Sequence, residues 1–353
     1  MAELGLSRGQ PTATRYVAAE VSYLQDRIVN VCFVGEAGAR DREWTLIDAG
    51  LPGAADKIKR AAAGLFGDAR PNAIVLTHGH FDHIGSVRAL AREWDVPVFA
   101  HELELPYLTG RSAYPPPDPL VGGGLNSVLS VLFPRGPINL GPRVQVLPAD
   151  GTVPGMRGWR WVPTPGHSPG HVSFVRDSDR TLIAGDAFVT TKQESFIAAL
   201  TQRPEIHGPP KYFTPDWDTA RESVRYLADY APAAAITGHG PPMRGDRLQS
   251  DLRRLATHFD EWARPAHGRY RDRPAIADAS GVVDVPPPPV SARTLAITGL
   301  AVGTAVGLAY AINRRRHAGD VRADDAALEL GEQLAIADGG YDAAASPSTI
   351  DLR

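Results

Sequence analysis

The stretch Ala73-Ile74-Val75-Leu76-Thr77-His78-Gly79-His80-Phe81-Asp82-His83 decides the reading of this chain, because a short apolar run ends directly on three imidazoles and a carboxylate. Four residues rich in β-branched and aliphatic side chains read as a buried strand. Its end delivers His78, His80, Asp82 and His83 into a loop, from which a helix is expected over 84–94. Neutral imidazole and carboxylate are good ligands for divalent first-row metals, and a loop between strand and helix lets alternate side chains fan towards one point. A short motif of this kind also matches surface histidines by chance, so it needs company.

That company lies downstream. His167 sits in Thr164-Pro165-Gly166-His167-Ser168-Pro169-Gly170-His171, Asp186 in Ala184-Gly185-Asp186-Ala187, and His239 in Thr237-Gly238-His239-Gly240. Each stands at a strand end or in a loop beside glycine, which leaves room for close approach. Upstream, 28–34 and 44–47 read as a hairpin closed by Asp48-Ala49-Gly50, followed by a helix over 54–65. A strand at 97–100, a second hairpin at 172–175 and 181–184, and a helix, strand and helix at 218–230, 234–237 and 247–263 complete an alternating pattern. Such alternation argues for an α/β class.

In order and context these motifs, from Asp48 to His239, resemble the metallo-β-lactamase-like superfamily, more closely its glyoxalase II-like and lactonase-like branches than the antibiotic-degrading one. The resemblance implies a four-layer αββα sandwich of two mixed β-sheets flanked by helices. It implies that His78, His80 and His167 hold a first metal, that Asp82, His83 and His239 hold a second, and that Asp186 bridges both. Asp48 and His171 would orient these ligands from behind. The implied cofactor is a pair of divalent ions, Zn2+ ahead of Fe or Mn. The implied activity is hydrolysis of a small-molecule ester, thioester or lactone by a metal-bridging hydroxide, with Asp82 also taking part in proton transfer. Two departures narrow the substrate. Val189 stands where acyl-homoserine-lactone lactonases place a tyrosine, and the glutathione-binding basic residues of glyoxalase II are not recognisable after His239. An iron-dependent, persulfide dioxygenase-like oxidoreductase and a membrane-attached, non-catalytic binding protein are the competing readings.

Composition constrains the partners. With 37 Lys and Arg against 40 Asp and Glu, the net charge of -3 offers no basic surface for nucleic acid. Cys32, the single cysteine, lies in an apolar run and reads as core. No secretory signal is recognisable at the N-terminus, so a cytoplasmic location is expected. Substrate contacts are expected from the Pro/Gly-rich insertion 106–142 and from Lys192 and Tyr212 after Asp186. Residues 1–275 read as the catalytic domain and 276–293, with four consecutive prolines, as a stiff linker. The apolar stretch within 294–312 is long enough to cross or associate with a membrane as a helix. Gly299, Gly303 and Gly307 recur every four residues there, a face suited to self-association. An acidic, Ala-rich tail over 313–353 reads as partly disordered.

Overall fold

The computed structural model describes residues 14–288. Its first sheet contains β1 (Arg15–Ala18), β2 (Val21–Asp26), β3 (Val29–Val34), β4 (Thr45–Ile47), β5 (Ile74–Val75), β6 (Val98–Ala100) and β7 (Val144–Val146) in that order, antiparallel as far as β4 and parallel beyond it. The second contains β8 (Trp159–Pro163), β9 (Val172–Arg176), β10 (Thr181–Ile183), β11 (Ala234–Ile236) and β12 (Met243–Arg244), ordered β12-β11-β10-β9-β8. Only β10 and β11 run parallel in it.

Side chains alternate across a strand, and here both faces of the central strands of each sheet are buried. Val31, Phe33, Leu46 and Ile74 face one apolar cluster, shared with Ile58, Ala62 and Phe66 of helix α1 (Ala55–Phe66). Their strand neighbours Cys32, Val34, Ile47 and Val75 enter a second cluster together with Phe174, Ile183 and Ile236 of the other sheet. Val175, Leu182 and Ala235 face outward again. The architecture is therefore the four-layer αββα sandwich that the sequence led us to expect.

The connections between strands carry the short helices α2 (Phe81–Ile84) and α3 (Val87–Glu93), then α4 (Leu105–Leu108), α5 (Leu125–Leu129) and α6 (Phe196–Thr201). On the outer face of the second sheet, α7 (Trp217–Tyr230) buries Trp217, Ala220, Val224 and Leu227, and α8 (Gly245–Thr257) buries Leu248, Leu252 and Leu255. This is the stripe that a 3.6-residue period dictates. Helix α9 (Phe259–Trp262) follows after His258.

Three expectations change. The helix expected over 84–94 is two pieces, and the first begins inside the metal motif: Asp82 and His83 stand on a helical turn. The amides of Gly85 and Ser86 bond to the carbonyls of Gly50 and Ala49, which breaks the helix between them. The expected helix over 247–263 is likewise divided at His258. Within the expected linker 276–293, residues 276–284 form a hairpin, β13 (Ile276–Asp278) with β14 (Gly281–Asp284), docked by a 3.0 Å bond from the Val282 amide to Ser112 Oγ. The apolar stretch in 294–312, its glycine face and the 313–353 tail lie outside the described residues. Among the described residues, no helix is long and apolar enough to cross a membrane.

Candidate metal centre

The ends of strands from both sheets meet at one place. β4 ends on Asp48, β5 leads to His78, the β8–β9 loop carries His167, β10 leads to Asp186 and β11 to His239. All seven candidate ligands are buried, and their donor atoms converge. His78, His80 and His167 form one group, His78, His83 and Asp186 a second, and Asp82, His83 and His239 a third. His80 Nδ1 lies 2.9 Å from His167 Nε2. His239 Nε2 lies 3.1 Å from Asp186 Oδ2 and 3.4 Å from Asp82 Oδ2, and His83 Nε2 is 3.6 Å from Asp186 Oδ2.

The far nitrogens of these rings are held from outside. Asp48 Oδ2 lies 2.8 Å from His83 Nδ1, while the same carboxylate accepts from the Thr77 amide and hydroxyl at 2.8 Å each. Asp48 sits at φ 60°, a left-handed backbone uncommon for a non-glycine residue and often associated with functional sites. Ile28 O is 2.7 Å from His239 Nδ1, Thr77 Oγ1 3.0 Å from His78 Nδ1, and Thr214 Oγ1 3.3 Å from His167 Nδ1. A partner on Nδ1 fixes the tautomer and leaves the Nε2 lone pair facing inward. His171 acts differently: its Nε2 accepts from the Asp186 amide at 2.8 Å, and its Nδ1 meets Thr164 Oγ1 at 2.9 Å. Asn30 fastens the His239 loop to β3 through bonds to Thr237 O and Gly240 O.

The inner atoms, in contrast, are orphaned. His78 Nε2, His83 Nε2 and Asp186 Oδ1 are buried without any hydrogen-bond partner. Leaving a buried polar group unpaired costs about 1–3 kcal/mol, and three such atoms on residues whose ligand atoms converge is the arrangement that a cation resolves. The residues present therefore fit divalent metal.

Burial drives the pKa values of His78, His80 and His167 down, that of His80 to about 3. Burial opposes protonation of His83 and His239 as well, but Asp186, with Asp48 and Asp82 adding for His83 and Asp82 for His239, outweighs it and holds both above the ordinary imidazole value. Asp186 is held well below the usual carboxylate range by His239 and His83, against its own burial. Protons on His83 and His239 are thus the positive charge that a metal displaces. Ligation needs neutral imidazole, so affinity falls as pH drops through these raised values. Calorimetric titration of Zn2+ into chelator-treated protein at pH 7 is expected to show proton release, as a heat that varies with the ionisation enthalpy of the buffer. A buffer-independent heat contradicts this electrostatic account.

A second buried cluster supports the ligand loops. Glu104 Oε1 accepts from Ser168 Oγ at 2.7 Å and the Gly170 amide at 2.8 Å, while Oε2 accepts from the Gly79 amide at 2.9 Å and from the Tyr114 hydroxyl. One carboxylate thereby ties the His78–His83 loop to the His167 loop. Burial raises its pKa and the four donors oppose that rise. Tyr114 in turn packs on His80 with ring centroids 4.5 Å apart, and Phe213 stacks on the same imidazole at 4.8 Å. Sequence reasoning missed Glu104, Tyr114 and Phe213.

Of the two residues expected to contact substrate, Tyr212 reaches the site. It lines a cavity of about 260 Å³ with Asp82 and Phe213. Lys192 does not. It lines a separate cavity of about 460 Å³ with Lys211, Arg254 and Trp262, which includes none of the candidate ligands. The 106–142 insertion contributes Asn126 and Phe133 to the Asp82 cavity.

A family model described as the metallo-beta-lactamase superfamily matches residues 24–239. The chain is 48% identical over 243 residues to a probable metallo-hydrolase of Bacillus subtilis (strain 168), YflN, covering 69% of this chain and 92% of that protein. It is 30% identical over 195 residues to a second from the same strain, YybB, covering 55% of this chain and 74% of the relative. Among solved structures, a beta-lactamase domain protein from Burkholderia ambifaria superposes with a TM-score of 0.50 at 21% identity, covering 72% of this chain and 78% of that one.

Proposed function

The chain belongs to the metallo-beta-lactamase superfamily, and on that premise we propose that it is a dinuclear metallo-hydrolase that cleaves a small-molecule ester, thioester or lactone. The observation that carries this reading is the convergence of buried ligand atoms from seven side chains, with His78 Nε2, His83 Nε2 and Asp186 Oδ1 among them left without a hydrogen-bond partner. His78, His80 and His167 would hold one ion and Asp82, His83 and His239 the other, with Asp186 shared between them. Imidazole and carboxylate donors without sulfur suit Zn2+, and Fe or Mn less specifically. When bound, such ions lower the pKa of a water towards neutrality and polarise a carbonyl.

The remaining work falls to the chain's own residues. Asp48 and the Ile28 carbonyl keep the His83 and His239 rings in register, and His171 holds the Asp186 backbone. Asp82 borders the cavity through which a substrate approaches. It is the carboxylate suited to take a proton from the attacking water and to pass it to the departing alkoxide or thiolate as the C–O or C–S bond breaks. Burial and the neighbouring Asp82 raise the Tyr212 pKa well above its usual value, so its hydroxyl stays protonated and can donate to a substrate oxygen.

Metal quantification joined to a panel of thioesters, lactones, β-lactams and phosphodiesters tests the reading. Two zinc equivalents per chain with carbonyl hydrolysis are expected, and Asp82→Ala is expected to lower both the stoichiometry and the turnover. Unchanged hydrolysis in that variant refutes the assignment. One iron per chain with oxygen uptake on a persulfide points to oxidation instead.

A further inference from the structure

We propose that the substrate carries an unbranched, uncharged acyl chain whose tail lies between Phe81, Phe133, Phe196, Tyr212 and Phe213 while its carbonyl faces Asp82. This rests on the hydrolase reading and adds a substrate class to it. The cavity of about 260 Å³ is walled almost wholly by carbon, and Asp82 is the one charged residue lining it. A carboxylate or phosphate at the far end of the tail would be desolvated among these walls with no Lys, Arg or His to pair it. The cavity is also smaller than the roughly 300–1,000 Å³ of drug-sized sites, which suits one slender chain better than a fused ring system or a peptide. Its aromatic walls brace one another, with Phe81 and Phe133 centroids 5.5 Å apart and Tyr212 and Phe213 5.2 Å apart. Phe213 continues the wall onto His80, so the tail space and the ligands adjoin.

The rim has the same character. The Asn126 amide bonds to Glu194 O at 3.2 Å and Asn126 Nδ2 to Gln193 O at 2.7 Å, which joins the start of α5 to the turn before α6. On this joined rim Leu125 is 54% exposed, Leu132 58%, Phe196 54% and Ile197 72%. Clustered exposed apolar side chains mark an interaction site on a soluble domain. Phe196 lines the cavity itself, and Leu125, Leu132 and Ile197 are the chain neighbours of the lining residues Asn126, Phe133 and Phe196, an arrangement suited to receive a lipophilic chain from solution. The cations of Lys192, Lys211 and Arg254 line the other cavity, away from the ligands.

The test uses metal-loaded protein and straight-chain acyl thioesters of N-acetylcysteamine from acetyl to dodecanoyl, each compared with its ω-carboxy analogue where one exists. We expect kcat/KM to rise with length by up to about fourfold per methylene, the factor that burying one such group supplies, and then to level off as the cavity fills. The ω-carboxy analogues should lose that gain, and Phe196→Ser should flatten the slope. In parallel, cis-parinaric acid, an unbranched fluorescent fatty acid, should bind with enhanced fluorescence, more weakly to Phe196→Ser. Hydrolysis that is indifferent to chain length, with no binding of the fluorescent acid, overturns the acyl-chain proposal and leaves the hydrolase reading standing. Binding of the fluorescent acid that weakens in Phe196→Ser, with no hydrolysis of any acyl compound, supports the pocket and sinks the reaction.

Discussion

Gly238→Ala is expected to give a folded protein that fails to load metal normally and loses at least about a hundredfold in turnover, the scale of an ångström's misplacement in a reacting group. A Cβ on residue 238 would lie 2.0 Å from Asp186 Oδ1 and 2.6 Å from His83 Cε1. Of the two, only the Asp186 side chain is free to turn. His83 is clamped through Nδ1 by Asp48, and the Asp186 backbone is tied to His171. The carboxylate therefore swings out of the shared position. Because residue 238 follows β11 and lies outside the apolar clusters, the cost to folding should stay near the roughly 1–3 kcal/mol of an overpacked site. Metal analysis beside circular dichroism decides the matter: full metal content and ordinary turnover would show that the close approach is unnecessary.

Removing the Glu104 carboxylate is expected to be nearly as damaging by another route. All four of its partners are donors, two to each oxygen. Glu104→Ala strands those donors in a fully buried space and should cost about 3–5 kcal/mol, the range for breaking a buried charged arrangement on one side. Glu104→Gln keeps the shape, yet its amide nitrogen would face two donors, so it should recover only part of the loss. The Gly79 and Gly170 amides lie beside His78, His80 and the His167 loop, so metal affinity should fall together with thermal stability. Thermal unfolding and competitive Zn2+ chelation measure the two effects. A Glu104→Gln protein within about 1 kcal/mol of the parent, with unaltered Zn2+ affinity, would reduce the clasp to a spectator.

What could be foreseen follows from locality. Strands buried on both faces show as continuous apolar runs, so 29–34, 45–47 and 73–76 were visible, as were the amphipathic α1 and α7. The His78–His83 ligands, Asp186 and His239 announced themselves because they follow such runs, and His167 by its Gly-His setting. β2 was not visible, because it mixes Ser22, Gln25 and Asp26 with its apolar residues, and Asp26 is satisfied only by tertiary neighbours: it accepts from the Leu51 amide and pairs with Lys57. β7 is largely exposed and has no inward pattern to read. Glu104 meets partners at Gly79, Ser168 and Gly170, and no window of sequence holds them together. Lys192 misled for the opposite reason. It follows Asp186 closely in sequence, but the chain between them is drawn aside, with the Thr190 amide bonded to His239 O and Val189 paired with His207.

The two halves of the sandwich each bring part of the cation cage: His78, His80, Asp82 and His83 come from beyond the first sheet, and His167, Asp186 and His239 from the second. An ion seated there spans the seam between them and fastens the halves as a rivet does. Because a ligand bound only by the folded chain adds stability as the logarithm of one plus the ratio of its free concentration to its Kd, scarcity of metal would loosen the joint itself as well as silence the chemistry.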